Sequence, residues 1–245
     1  MAQLGSALIY LIVVGRRARA LGAPLTPDLE ALGIYARVGF QLFIRTASLR
    51  GSLLLATLLA GRLGTVPLAA HQIGIEIWSL LALAHDAVAI AGQALVARLL
   101  GADDRVAARA ASKRMVELSV LVGLIFATAL LAAGSLLAGV FSNDPAVQDL
   151  TAFVLIYVAA MQPINGLVFA LDGILIGAGD LTFLAKAMVG AFLVFAVTAL
   201  GISALGWGLG WLWASIIVLM VSRTVPLWRR FTTDLWMEPP AGIRQ

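Results

Sequence analysis

The sequence has no cysteine and only two histidines, His71 and His85, among 245 residues. That removes disulfides, thiolate metal sites and cysteine nucleophiles, and it leaves too few ligands for a structural zinc site. Charge is scarce as well. Asp, Glu, Lys and Arg make up 12% of the chain, about half of the roughly 25% found in soluble domains. That is too little polar surface to cover a globule in water. Catalytic signatures are missing too: there is no glycine-rich phosphate loop, no nucleophile elbow and no HExxH pattern. No enzyme, no metal and no cofactor is expected.

What the chain has is apolar length. Hydrophobic residues make up 61% and the mean hydropathy is +0.99. The bilayer is the solvent that suits this composition. A spanning helix needs roughly 20 mostly apolar residues, and six such runs occur, over 38–61, 72–98, 115–141, 149–176, 182–202 and 207–227. A shorter apolar piece over 2–14 lacks a basic segment before it and a cleavage site, so it reads as the end of a further helix rather than as a signal peptide. The expected fold is therefore an all-α membrane protein, a six-helix bundle preceded by the end of another helix.

The breaks between runs have local causes. "GAPLTPDLE" (22–30) carries two prolines. "GADD" (101–104) and "GAGD" (177–180) each offer a glycine to end one helix and an aspartate to cap the next. "SNDPA" (142–146) places Pro145 in a first helical turn. "GISALGWG" (201–208) is an uncharged turn. The likeness of the 101–104 and 177–180 breaks suggests a weak internal repeat.

Basic residues set the expected orientation. With the segment after residue 14 in the cytoplasm, 14 of the 17 lysines and arginines fall on the inside, Arg223 and Arg244 among them. Only Arg62 falls outside, and Arg45 and Arg50 lie within a span. This spread over short segments accounts for the net charge of +4 without nucleic acid as a partner. The C-terminus is expected in the cytoplasm.

"SLLALAHDAVAIAGQAL" (79–95) sets His85 and Asp86 in an apolar run. Asp86 and Arg50 each lie about 12 residues from the inner side, at ~18 Å depth for a rise of 1.5 Å per residue. A carboxylate there costs ~3 kcal/mol or more unless paired or facing water. An Arg50–Asp86 pair is the first expectation, either as a clamp or as part of a substrate route. His85 points about 100° away and reads as a helix-interface histidine. Asp172, in "LVFALDGILIGAGD", is a second buried carboxylate, with Arg45 at comparable depth as a partner. Upstream, Gln162, Pro163 and Asn165 interrupt the same helix. Asn165 lies about two turns from Asp172, so the two can face one cavity. Gln41 and Gln93 are uncharged candidates for interhelical bonds or a cavity lining. Trp207, Trp211 and Trp213 read as an interfacial aromatic belt.

The stretches "LAAHQIGIEIWSLLALAHDAVAIAGQALVARLLGADD" and "FALDGILIGAGD" resemble the multidrug and toxic compound extrusion (MATE) family, most of all its DNA-damage-inducible protein F-like branch. The resemblance runs over residues 1–228 and rests on the helix-end pattern and on Gln72, Asp86, Gln93, Asp172 and Asp180. It implies one lobe of a two-lobe transporter, with residues 1–14 as the end of a preceding helix, 15–37 as an inter-lobe linker, 38–228 as the C-terminal lobe and 229–245 as a cytoplasmic tail. It further implies a multi-pass protein of the cell (inner) membrane, and a proton- or sodium-coupled antiporter that exports small organic compounds, cationic drugs included. The facing N-terminal six-helix lobe would be a partner. Members that bind sodium in this lobe use carboxylates on its first and fourth helices. Here the first helix carries arginines instead, so a sodium site is not expected. Two alternatives remain: a flippase for lipid-linked precursors, expected to have a strongly cationic cavity, and a membrane subunit that does not itself transport.

Overall fold

A computed structural model describes residues 2–20 and 29–238. The break at 22–30 lies almost wholly outside these residues, as does Arg244. The described chain is helical throughout: α1 (Ala2–Ala20), α2 (Leu29–Arg62), α3 (Thr65–Gly101), α4 (Arg105–Phe141), α5 (Pro145–Gly177), α6 (Leu181–Ala204), α7 (Leu209–Thr232) and a single 3₁₀ turn, Leu235–Met237. Six of these helices, α2 to α7, are long and apolar enough to cross a bilayer. They cover five of the six predicted runs, and α7 covers the sixth from Leu209, two residues inside its predicted start; most ends extend beyond the runs, because polar first and last turns stay helical outside the apolar window.

The chain divides into two units, residues 1–39 and 40–245. In the first, α1 continues past residue 14 through Arg16, Arg17 and Arg19, and Leu8, Tyr10, Leu11, Ile12, Val13 and Val14 are exposed. The linker expected over 15–37 is helical over 15–20 and 29–37.

The second unit is organised around α5. Glycines let its backbone touch its neighbours. A Cβ added at Gly166 would lie 2.1 Å from the Ser119 carbonyl oxygen, and one at Gly123 2.4 Å from that of Gln162. These two contacts run α4 antiparallel to α5. On the other flank, Gly173 meets the Ala89 carbonyl at 2.4 Å and Gly177 that of Gln93 at 2.5 Å, by the same measure. Those contacts run α3 parallel to α5. Small residues at helix crossings are how membrane bundles gain close packing, since lipid gives no hydrophobic drive between helices. Away from these seams the surface is apolar: Leu121, Leu131, Leu136 and Val140 of α4 are exposed, as suits a lipid-facing wall.

The helix ends follow the sequence in part. After α3, α5 and α6 the chain closes in the same way, with Asp104 N–H on Leu99 O, Asp180 N–H on Leu175 O and Trp207 N–H on Ile202 O. Asp103, Gly179 and Gly206 occupy the left-handed position, with φ of 56°, 78° and 69°, in the Schellman arrangement. In "GADD" the turn residue is thus Asp103, not the glycine. Asp104 caps α4 through Ala107 N–H, at 2.9 Å. Asp180 does not cap α6: its carboxylate accepts from Arg230 Nε of α7, at 2.6 Å. Asp144 caps α5, and Pro145 is the first helical residue, as expected.

Beyond α7 the chain folds back on itself. Trp236 is buried, stacks on Phe231, and donates from Nε1 to the Phe231 carbonyl at 3.1 Å. Arg109 of α4 pairs with Asp234 and donates to the same carbonyl.

Candidate functional site

Asp172 sits on α5, the most enclosed helix, and is itself buried. An ionised carboxylate there needs cations and donors around it. It has two: Arg45 on α2 and Arg223 on α7 both donate from Nη2 to Asp172 Oδ2. Arg223 is only 2% exposed, and its guanidinium lies 6.0 Å over the Phe169 ring. One carboxylate oxygen therefore ties three helices together.

The arginines also form the wall of a cavity of about 350 Å³. Its polar side is made by Arg45, Arg50, Arg223, Asp86, Thr46 and Ser79, and its apolar side by Leu49, Leu53, Trp78, Leu83 and Phe169. Asp86 is half-buried and close enough to Arg45 and Arg223 for their charges to act on it. It forms no ion pair or hydrogen bond among the described residues.

The expected Arg50–Asp86 pair is therefore not formed. Both residues line the cavity, but Arg50 is exposed and has no charged partner among the described residues. Counting residues from a helix end gives depth and leaves the direction around the helix undetermined. The alternative pairing of Arg45 with Asp172 is the one the structure contains. The basic-residue pattern places Arg223 with the cytoplasmic residues, but the structure does not. Arg223 lies nine residues before the end of α7, about 13 Å along the helix, and belongs to the interior. The available signal was its setting in "VLMVSRTVP", well before Arg229 and Arg230.

The other predicted residues are dispersed. Asn165 is buried, and its Oδ1 has no hydrogen-bond partner among the described residues. Neither it nor Asp172 lines this cavity. Asp172 lies behind the two arginines. Gln162 Oε1 accepts from His85 Nε2 at 3.2 Å, and Gln162 Nε2 donates to the Val158 carbonyl at 3.1 Å. His85 is thus an interface residue, edge-on to Phe126. Gln41 donates to Thr182 Oγ1 at 2.7 Å, joining α2 to α6. Gln93 is half-buried and uses its backbone against Gly177. α5 stays helical through Pro163. Trp207 and Trp211 are exposed and in contact, their rings tilted at 42°, whereas Trp213 is fully buried against His71 and Gly74. It is a core residue, not part of a belt. Among the described residues no group of three or more His, Asp or Glu side chains could hold a metal ion.

The MatE family model matches residues 42–200, more than half of the chain. The chain belongs to the MATE family. Protein DETOXIFICATION 43 of Arabidopsis thaliana is 32% identical over 218 residues, which is 89% of this chain and 41% of that protein. A probable multidrug resistance protein NorM of Xanthomonas campestris pv. campestris is 29% identical, over 84% of this chain and 45% of that one. The chain thus spans less than half the length of these curated relatives. A solved structure of a multidrug resistance MATE family transporter in an outward-facing conformation superposes with a TM-score of 0.75 at 20% identity, over 86% of this chain and 47% of that one. The six helices α2 to α7 accordingly form one lobe of the two-lobe MATE fold.

Proposed function

We propose that this chain supplies the second lobe of a cation-coupled antiporter that exports organic compounds across the cell membrane, working with a six-helix first lobe. The observation that carries this reading is the cavity beside Arg45, Asp86 and Arg223, where charged groups stand within a bundle otherwise walled by apolar helices. Charges inside a spanning bundle mark substrate and ion routes. Asp86 is the carboxylate free to exchange a proton, because Asp172 is held by two arginines. That double hold also leaves no carboxylate oxygen pair for sodium at Asp172.

The test is dye export in a pump-deficient host. Residues 1–245 alone should leave dye accumulation unchanged. The same chain joined to the first lobe of a MATE transporter should lower it, and an uncoupler should abolish the effect. A joined protein that folds and reaches the membrane but exports nothing would favour a subunit without transport of its own.

A second reading, translocation of a lipid-linked precursor, is supported by one feature. With Arg223 included, three arginines face the site against Asp86 and Asp172, so the cavity is cationic on balance. Accumulation of lipid-linked precursor on loss of the protein, with no change in dye export, would favour it.

A further inference from the structure

We infer that the cavity between α2, α3, α5 and α7 holds an amphiphilic organic monoanion, with one oxyanion group on an apolar or aromatic body. This rests on the reading of that cavity as the transport chamber.

The charge balance comes first. Arg45, Arg50 and Arg223 face Asp86 and Asp172, which leaves one positive charge. Arg45 and Arg223 share the one Asp172, so that group keeps a positive charge, which Asp86 faces; the charge left over is that of Arg50, which has no carboxylate partner among the described residues. Asp86 lines the same cavity without pairing with Arg50.

Donor accounting points the same way. Arg223 Nη1 and Arg45 Nε are buried and have no hydrogen-bond partner among the described residues. Both arginines belong to the cavity wall. An unmet buried donor costs more than a made hydrogen bond returns. Asp172 Oδ1 is an unmet acceptor in the same group, so the donors open to a ligand are those of Arg50, whose guanidinium can hold a carboxylate or phosphate through paired, charge-assisted bonds. Asp86 sets the limit on ligand charge: a second negative group would lie beside it with no cation left over. A cationic ligand would meet three guanidinium groups.

The remaining wall fixes the body of the ligand. Leu49, Leu53, Trp78, Leu83 and Phe169 can receive a ring or short alkyl chain. About 350 Å³ falls within the ~300–1,000 Å³ of small-molecule sites.

The experiment uses the full chain in phosphatidylcholine nanodiscs and a matched pair of probes, 2-naphthoate and 2-naphthylmethylammonium, in equilibrium binding. Naphthoate should bind saturably and the ammonium should not. Arg50→Gln should weaken naphthoate binding about tenfold or more, the scale of one charged hydrogen bond, and Arg50→Lys should weaken it less. Both variants should elute as the parent does, because Arg50 is exposed and unpaired. Adding phosphatidylglycerol to the disc separates two oxyanion sources, each consistent with the inference: displacement of naphthoate identifies a lipid headgroup, and its absence a soluble anion. Unchanged naphthoate affinity in Arg50→Gln would overturn the inference. Binding of the ammonium probe, lost in Asp86→Asn, would overturn it too but leave the cavity as a transport chamber. Saturable binding of neither probe would overturn both.

Discussion

Arg45 and Arg223, one on α2 and the other on α7, bond the same oxygen of one carboxylate, Oδ2 of Asp172. Two cations on one acceptor form a stable group only while the shared anion is present. The consequences of removing each member therefore differ.

Asp172→Asn should be the most damaging of the three single changes. It leaves two guanidinium groups, one of them 2% exposed, without their counter-ion. Breaking a buried pair typically costs ~3–5 kcal/mol. The monodisperse yield in detergent and the thermal midpoint should both fall, and adding Arg223→Met should restore part of the loss. A midpoint equal to that of the parent would show that Asp172 carries no structural charge.

Arg50 and Asp86 should behave independently in folding. They share a cavity wall but form no ion pair. In a double-mutant cycle of Arg50→Gln and Asp86→Asn, the coupling should stay at the low end of the ~0.5–3 kcal/mol of residues that share a cavity. The Arg45→Gln and Asp172→Asn cycle should show clear coupling. Strong coupling in the first cycle would restore the pair expected from helix depth.

Gly166→Ala should destabilise by ~1–3 kcal/mol or more through overpacking, because the new methyl would meet the Ser119 carbonyl at 2.1 Å. The obstacle is backbone and cannot swing away. Gly139→Ala is the control, since nothing lies within 4 Å of its added Cβ. Thermal unfolding of both variants in the same detergent decides this, and equal midpoints would contradict the close crossing of α4 and α5.

Topology is testable without background labelling, because the chain has no cysteine. Cysteines at Ala102 and Asn143, both exposed, should separate cleanly. An impermeant maleimide applied to intact cells should label the second and spare the first. Labelling at position 102 would reverse the proposed orientation.

The spans were legible because bilayer thickness imposes a length and a composition that a sequence displays directly. The ends were legible in part. "SNDPA" gave both the capping aspartate and the proline that starts α5, while Asp180 was taken for a cap because its carboxylate looked local. A residue from 50 positions further along, Arg230, claims it instead. The site was legible as a set of charged residues at depth, and the pairing was not. Rotation about a helix decides whether Arg45 or Arg50 reaches a carboxylate, and that rotation follows from packing. Arg223 was missed for a related reason: counting basic residues by segment treats an arginine inside the last helix like one beyond it. Trp213 shows the same blindness, since a cluster of tryptophans at one helix end does not reveal which of them turns inward.

Glycine contacts on two flanks of α5 act as a keyway. A turn of that helix by one residue, about 100°, would drive side chains into the carbonyls of Ser119, Ala89 and Gln93. Gly123 presses on Pro163 and the Gln162 carbonyl, so bending at the proline meets the backbone of α4. The bundle from α3 to α5 is therefore locked against internal gearing. In a transport cycle of the kind proposed, α3, α4 and α5 would move as one block, as a door swings on a hinge placed outside its own panel.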